Sequence, residues 1–227
     1  MATQFTLFGV YHCFFIALIL FVPALLTKLS LGYTSRVKHF RYSLGGVILV
    51  NELAWYFYVF IQGWFNFPYM LPIHLCDIVL WLTVYTCFTN KSWSFDIIYY
   101  WGLAGTSMAV LTPDITSSAF SYLTLRFFLA HGGILIAILF LLWSKQSRPR
   151  KGSQWRAFGY LNLYALFIAL FNYLFSANYF YLCEKPAESS LLDYLGPWPI
   201  YIFAGEVLAL GFFWLLALPF RNHNKHS

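Results

Sequence analysis

Charged side chains are scarce in this chain. Only 10% of its 227 residues are Asp, Glu, Lys or Arg, whereas 60% are hydrophobic. A soluble domain carries about 25% charged residues, so this chain lacks the polar side chains that would cover a water-facing surface. The composition therefore excludes an ordinary soluble domain and indicates an integral membrane protein. The aromatic content of 22% suits the bulky packing and interfacial belts of such proteins.

The chain also lacks the short motifs of several functional classes. Its four cysteines have no C-x-x-C spacing, which excludes a zinc ribbon or a thioredoxin-like redox pair. No H-E-x-x-H stretch is present, so the usual helical zinc site is not encoded. No nucleic-acid motif accompanies the net charge of +6. We therefore expect no metal, no cofactor and no nucleic-acid partner.

Seven stretches are long and apolar enough to form transmembrane helices of about 20 residues. The first lacks the positive n-region of a secretory signal and is too long for one, so we interpret it as a retained span. With no internal repeat and no long linker, we expect one integral membrane domain over residues 1–227 and an all-α, polytopic bundle of seven transmembrane helices. The stretches are residues 6–27, 44–63, 71–89, 94–112, 121–143, 158–182 and 198–219.

The distribution of basic residues predicts the orientation. With seven spans, 12 of the 14 Lys and Arg residues fall on one side of the membrane, and only Arg126 and Lys185 fall on the other. Lys and Arg are enriched in cytoplasmic loops. We therefore predict a cell-membrane protein with its N-terminus outside and its C-terminus in the cytosol. The 12 residues are Lys28, Arg36, Lys38, Arg41, Lys91, Lys145, Arg148, Arg150, Lys151, Arg156, Arg221 and Lys225.

The polar side chains within the spans concentrate at one depth. Ionisable groups inside a membrane are costly and usually face the bundle interior or a water-filled cavity. In the predicted topology they share the outer half, whereas the inner half is nearly bare apart from Asn51 and Glu52 near the middle of the second span. This asymmetry predicts a polar cavity that opens to the outer face. Its candidate residues are His12, His74, Cys76, Asp77, Asp114, Arg126, His131, Asn172, Asn178 and Glu206.

The third span opens with HLCD, residues 74–77, which places a thiol beside ionisable groups. A thiol within reach of a histidine is the nucleophile–base arrangement of acyl transfer. Cys76 lies about 200° round a regular helix from His74, so His131 on the fifth span is its better partner. His74 and Asp77 are three residues apart and share a helix face, which lets Asp77 orient or charge the imidazole. We predict Cys76 as nucleophile and His131 as general base. His74 and Asp77 would orient or tune the site.

Four further residues are predicted to line the cavity and bind substrate, namely Asn178, Glu206, Asp114 and Arg126. Three roles are open to Glu206: a base, a group that orients a histidine, or the buried partner of Arg126. Asp114 follows Pro113 at a helix end and also suits a plain turn. Asn178 also suits a hydrogen bond between helices.

Two other functional classes fit part of the pattern. His12, His74 and His131 all fall in the outer half, and three histidines with a water form a catalytic zinc set, which suits a metal-dependent membrane hydrolase. Glu52, Glu206 and the histidines suit a proton relay in a transporter or a binding protein without catalysis. The bare inner half and the lack of a repeat weigh against transport, because a transport path must cross both leaflets.

Three segments carry a likeness to known proteins. They are LPIHLCDI (71–78), YYWGLAGTSMAVLTPDI (99–115) and FNYLFSANYFYLCEKPAESSLLDYLGPWPIYI (171–202). Together these segments resemble the YwaF / transmembrane protein 164 family of small integral membrane proteins. The likeness spans most of residues 50–205, and the first span and the tails carry little of it.

This resemblance implies a multi-spanning helical fold and, through the animal member of the family, a phospholipid acyltransferase. It implies that the cysteine of the HLC block and a downstream histidine carry catalysis, and these match Cys76 and His131. We therefore predict a lipid acyltransferase or acyl hydrolase that works through a Cys thioester and has membrane lipids as its partners. The depth of the polar residues and the family likeness select the same pair.

Overall fold

The computed structural model describes residues 4–115, 117–186 and 191–221. The regular secondary structure of these residues is helical, apart from one isolated bridge between Gln4 and Ser118. The all-α prediction is therefore confirmed for this part of the chain. Lys225, one of the basic residues used to predict the orientation, lies outside the described residues.

The described helices form seven segments along the chain. A π-helix (Gly102–Thr106) joins α4 to α5, so these three pieces make one continuous segment. Short 3-10 helices follow α7 and flank α8, at Tyr179–Tyr181, Leu191–Leu195 and Leu218–Phe220. The α-helices are α1 (Val10–Ser30), α2 (Thr34–Ile61), α3 (Leu75–Thr89), α4 (Ser92–Trp101), α5 (Ser107–Leu111), α6 (Tyr122–Trp143), α7 (Ser153–Phe175) and α8 (Ile200–Ala217).

Five of these helices are long and apolar enough to cross a membrane, judged by length and composition. They are α1, α2, α6, α7 and α8 with its extension to Phe220. Helix α3 is also apolar but has only 15 residues, which span about 22 Å at 1.5 Å per residue. The fold is thus a helical membrane bundle, as the shortage of charge requires.

Helix α6 lies at the centre of this bundle and packs against α1, α2 and α3. In its most apolar stretch 56% of the residues are buried, compared with 17% to 28% in the other four candidate spans. Two adjacent glycines let its neighbours approach closely. A Cβ on Gly132 would lie 3.0 Å from Ile19 of α1, and one on Gly133 would lie 3.0 Å from Ile48 of α2. Small residues at such contacts are typical of packed membrane helices.

Two predicted boundaries differ most from the structure. Helix α2 begins at Thr34 rather than near residue 44, so Arg36 and Lys38 lie on its first turns instead of in a loop. Helix α7 ends at Phe175 because Ser176 adopts a left-handed conformation with a φ of 52°. The chain beyond it forms a 3-10 turn where the sequence predicted helix up to residue 182.

One buried carboxylate holds the end of the bundle where α3 turns into α4. Asp96 is only 2% exposed. It accepts hydrogen bonds from the backbone N–H of Arg150 at 2.9 Å and from the Nε of Arg150 at 2.6 Å. Arg156 Nη2 lies 3.5 Å from the same carboxylate. Nearby, Ser147 Oγ donates to Asn90 Oδ1 at 3.0 Å. These contacts tie α4 to the connection between α6 and α7.

Replacing this carboxylate is expected to loosen that connection. In Asp96→Ala the backbone and side chain of Arg150 lose their shared acceptor, and a hydrogen bond to a charged group contributes about 1.5–3 kcal/mol. We expect a lower melting temperature for purified Asp96→Ala in detergent. Glu184→Ala, which removes an exposed carboxylate, is the matched control and should melt like the wild type. Equal melting temperatures for Asp96→Ala and the wild type would contradict the role assigned to Asp96.

Candidate functional site

The candidate site lies at the start of α3, at the opposite end of that helix from Asn90. His74 precedes the helix, and its backbone N–H donates to the Asp77 carboxylate at 3.0 Å. The Asp77 N–H in turn donates to the His74 carbonyl at 3.1 Å. We predicted that Asp77 would act on the His74 imidazole, but its bond in the structure is to the His74 backbone. The carboxylate therefore caps α3 and complements the positive end of the helix dipole.

Cys76 is the second residue of α3 and is a free, partly exposed thiol. The N–H groups in the first turn of a helix have no carbonyl partner within the helix, and Cys76 lies in that turn of α3, where the Asp77 N–H already donates to the His74 carbonyl. The charges of Asp77 and Arg126 also act on the sulfur. The N–H groups and the guanidinium can stabilise negative charge that develops on the sulfur or on a bound carbonyl oxygen.

A buried ion pair joins α2 to the central helix beside this thiol. Arg126 Nη2 donates to Glu52 Oε2 at 3.3 Å, and the Glu52 side chain is 1% exposed. The guanidinium also lies 4.1 Å from the ring centroid of Trp55, a cation–π contact. Glu52 Oε1 and Arg126 Nε are buried without a hydrogen-bond partner. We had considered Glu206 as the buried partner of Arg126, and the structure assigns that role to Glu52.

Arg126 is the common neighbour of the ionisable groups at this end of the bundle. Its charge acts on Cys76, on Asp77 and on His131. Glu52 and Asp77 likewise act on each other. The charge of Arg126 thus reaches all three groups, although burial is the stronger influence on each of them.

The orientation of His131 leaves one ring nitrogen available. Nδ1 lies 3.1 Å from the Phe127 carbonyl, and because a carbonyl only accepts, this bond assigns the proton to Nδ1. The imidazole stacks on the Phe127 ring at 4.2 Å. Nε2 then carries a lone pair, as a general base requires. Among the described residues no hydrogen bond joins His131 to Cys76.

Aromatic side chains from the second half of the chain hold the segment that leads into α3. The Tyr179 hydroxyl donates to the Pro68 carbonyl at 2.6 Å and accepts from the Leu71 N–H at 2.8 Å. Its ring centroid lies 4.6 Å from that of His74. Tyr164 donates to the Ile73 carbonyl at 3.0 Å. The approach to α3 is thus fixed by contacts with α7 and the 3-10 turn that follows it.

The remaining predicted lining residues occupy different places. Asn178 Oδ1 accepts from the Cys183 and Glu184 N–H groups, so this amide shapes the loop after α7. Asp114 is exposed in the loop after α5, and its charge acts on Tyr181. Tyr181 also interacts electrostatically with Cys76, which links this loop to the thiol.

Glu206 lies apart from these contacts. Its carboxylate accepts from Asn162 Nδ2 at 3.0 Å, which joins α8 to α7 on an exposed face. Asn172, which we placed nearer the middle of its span, exchanges two bonds with the Tyr179 backbone and is buried.

The structure offers no support for a three-histidine metal site. His12 Nδ1 accepts from the Phe8 N–H at 2.9 Å, and its Nε2 lies 2.8 Å from the Val110 carbonyl. Both ring nitrogens are thus occupied, Nδ1 by the segment that precedes α1 and Nε2 by α5. The described part of the chain contains no group of three or more His, Cys, Asp or Glu residues that could hold a metal ion.

Sequence reasoning missed three contributors to this end of the bundle. Glu52 was not included among the residues of the predicted polar cavity. An acidic residue in an apolar span nevertheless signals that it has a buried partner. Tyr179 and Tyr181 were missed because the chain has 17 tyrosines, and no spacing marks those that border a site.

The ion pair provides a test of the site's construction. Arg126→Met leaves the buried Glu52 without its cation, and breaking such a pair from one side costs about 3–5 kcal/mol. We expect a large loss of thermal stability for Arg126→Met and recovery of about half of it in Glu52→Gln/Arg126→Met. Arg148→Met, at an exposed position, is the control and should have little effect. A double variant as unstable as Arg126→Met would show that the pair is not the source of the loss.

Comparison with known proteins gives one match. No curated protein and no solved structure gives a significant match to the chain. The sequence model of the TMEM164 family matches residues 3–217. This range includes α1 and α8, so the match covers the whole bundle as well as the start of α3. The multi-pass helical membrane fold and the family match agree, and the chain belongs to the TMEM164 family.

Proposed function

We propose that this chain is a membrane-embedded enzyme that transfers or hydrolyses lipid acyl groups through a thioester on Cys76. The observation that carries the proposal is the position of Cys76, a free and partly exposed thiol in the first turn of α3, where the N–H groups of that turn and the positive end of the helix dipole favour negative charge. A thiol nucleophile and the oxyanion that it generates both need such groups. Lipid ester bonds lie at the edge of the hydrocarbon core, which is where the end of a membrane helix lies.

The proposal includes a topology of seven membrane crossings, in which α4, the π-helix and α5 form the fourth. The N-terminus is outside and the C-terminus is in the cytosol of the cell membrane. The sorting of basic residues supports this arrangement. In this topology Cys76 lies near the outer face, and Asp96 lies near the cytosolic face.

The proposed reaction has two halves. The Cys76 thiol gives its proton to His131 Nε2 and attacks the carbonyl carbon of a lipid ester, forming a C–S bond. The N–H groups at the start of α3 stabilise the charge on the carbonyl oxygen. As the C–O bond breaks, His131 returns the proton to the departing alkoxide and an acyl thioester remains. A second alcohol, or water, then gives its proton to His131 and attacks the thioester, which restores the thiol.

The separation of Cys76 and His131 is compatible with this scheme. Hydrogen bonds between catalytic groups are often long without substrate and tighten in the complex. In the proposal, a lipid ester held between the start of α3 and His131 meets the thiol and the imidazole together.

Other predicted residues have supporting roles in the proposal. Asp77 fixes the start of α3 and thereby the direction of the N–H groups at Cys76. His74 packs on Tyr179 and borders the same space. Asp114 in the loop after α5 and Asn178 in the segment that carries Tyr181 form the rim. Glu206 would contact a lipid that approaches along the exposed face of α7 and α8.

Cysteine replacement tests the nucleophile. In the Cys13→Ser/Cys183→Ser background, which removes both exposed thiols, an acyl-chain thiol probe should label the protein at Cys76. We expect Cys76→Ser to abolish labelling and the lipid change that the protein causes in an expressing cell. Cys87→Ser, at a buried position, is the matched control for loss of a thiol. If cells that express Cys76→Ala have the same lipidome as cells that express the wild type, the enzyme proposal is refuted. A lipid-binding or transport protein would then be the remaining interpretation.

Histidine replacement tests the base. Loss of general-base catalysis lowers turnover by about 10²–10⁴-fold, so we expect His131→Gln to reduce phospholipid turnover by purified protein to that extent. His39→Gln is the control, because His39 is exposed and bonds only within α2, to the Ser35 carbonyl. Turnover by His131→Gln within a factor of about three of the wild type would exclude His131 as the base.

A further inference from the structure

A second polar cavity lies at the other end of the bundle, where α7 begins and α8 ends. It is a pocket of about 390 Å³ whose wall includes Arg150, Lys151 and Arg221. The wall also includes Gly152, Trp155 and Phe220. This pocket shares no lining residue with the surroundings of Cys76.

The charge of this pocket is strongly unbalanced. Three of its lining residues are cationic, and none of the residues that line it carries a carboxylate. The buried Asp96 lies behind the wall and bonds to Arg150 and Arg156. One carboxylate thus faces two arginines, and the charges of Lys151 and Arg221 are left uncompensated within the lining. A cavity of this kind attracts an anion.

The wall of the pocket is held in place. The backbone N–H and the Nε of Arg150 are both bonded to Asp96, which leaves the terminal nitrogens of the guanidinium free of that carboxylate. Gly152 enters α7 with a φ of 72°, a left-handed conformation that suits glycine. No side chain caps the start of α7, so the helix contributes its positive dipole end to the same space.

The surroundings of the pocket are those of a membrane boundary. Phe220 and Ala217 form an apolar part of the wall. Trp155 is 58% exposed and Trp214 is 46% exposed, and tryptophan is enriched where the hydrocarbon meets the headgroups. Along α7 beyond Trp155, large apolar side chains such as Leu163 and Leu166 are also exposed. An anion held here would have apolar helix surface beside it.

The geometry points to a binding site for the phosphate of an anionic phospholipid. The phosphate would lie between Lys151, Arg221 and the free nitrogens of Arg150, at the start of α7. The acyl chains would lie on the exposed apolar faces of α7 and α8. A soluble phosphate shares the charge but gains nothing from those faces, which is why a lipid is the better occupant. This site does not depend on the catalytic proposal, since it involves neither Cys76 nor His131.

Titration of lipid binding tests the site directly. Full-length protein in detergent is titrated with dioctanoyl phosphatidic acid, dioctanoyl phosphatidylcholine or inorganic phosphate, and bound species are counted by native mass spectrometry. A basic residue near an anionic lipid contributes about fivefold in affinity. We therefore expect Lys151→Gln/Arg221→Gln to weaken phosphatidic acid binding by about tenfold or more. The matched control, Lys145→Gln/Arg148→Gln, removes two exposed charges of the same loop region that lie outside the pocket.

The outcomes separate a built site from diffuse attraction. The wild type and the control variant should bind phosphatidic acid about tenfold more tightly than phosphatidylcholine, and the pocket variant should lose that preference. An equal loss in both double variants would overturn the site. Inorganic phosphate that binds as tightly as phosphatidic acid would overturn the lipid assignment. Melting temperatures of both variants, measured in the same detergent, show that each is folded.

Discussion

The ion pair between Glu52 of α2 and Arg126 of α6 is the interaction on which the candidate site depends. Charges inside an apolar bundle are costly unless each finds a partner, and this pair joins the central helix to a neighbour. The same guanidinium acts on Cys76, Asp77 and His131. One cation therefore reaches the proposed nucleophile, the helix cap and the proposed base together, although burial acts on each of them more strongly.

Helix α3 separates two polar ends with opposite character. At its start, two carboxylates share the charge of Arg126 beside Cys76. Beyond its other end, the single carboxylate of Asp96 pairs with the two positive charges of Arg150 and Arg156. The neighbouring pocket is lined by further cationic residues. The proposed acyl-transfer site and the proposed anion-binding site thus lie towards opposite ends of α3, a 15-residue helix about 22 Å long. The two proposals are independent of each other, because acyl transfer and phospholipid binding would use different residues.

Much of the fold could be predicted from the sequence, because the lengths of apolar runs determine helical segments directly. The contacts within the candidate site could not be predicted from the sequence. Which acid meets Arg126 depends on how α2 is rotated against α6, and the contact of Gly133 with Ile48 that sets this rotation has no signature in the sequence. The role of Asp77 as a cap depends on α3 starting just after His74, and apolar patterns place helix ends poorly.

The most direct test of the account is to look for the thioester itself. Purified protein would be incubated with phospholipid in the absence of an acceptor alcohol, digested, and examined by mass spectrometry before and after neutral hydroxylamine. The account predicts that the peptide containing Cys76 gains the mass of one acyl chain and loses it on hydroxylamine treatment. Continued release of fatty acid from the phospholipid with no acyl group on Cys76 would contradict it.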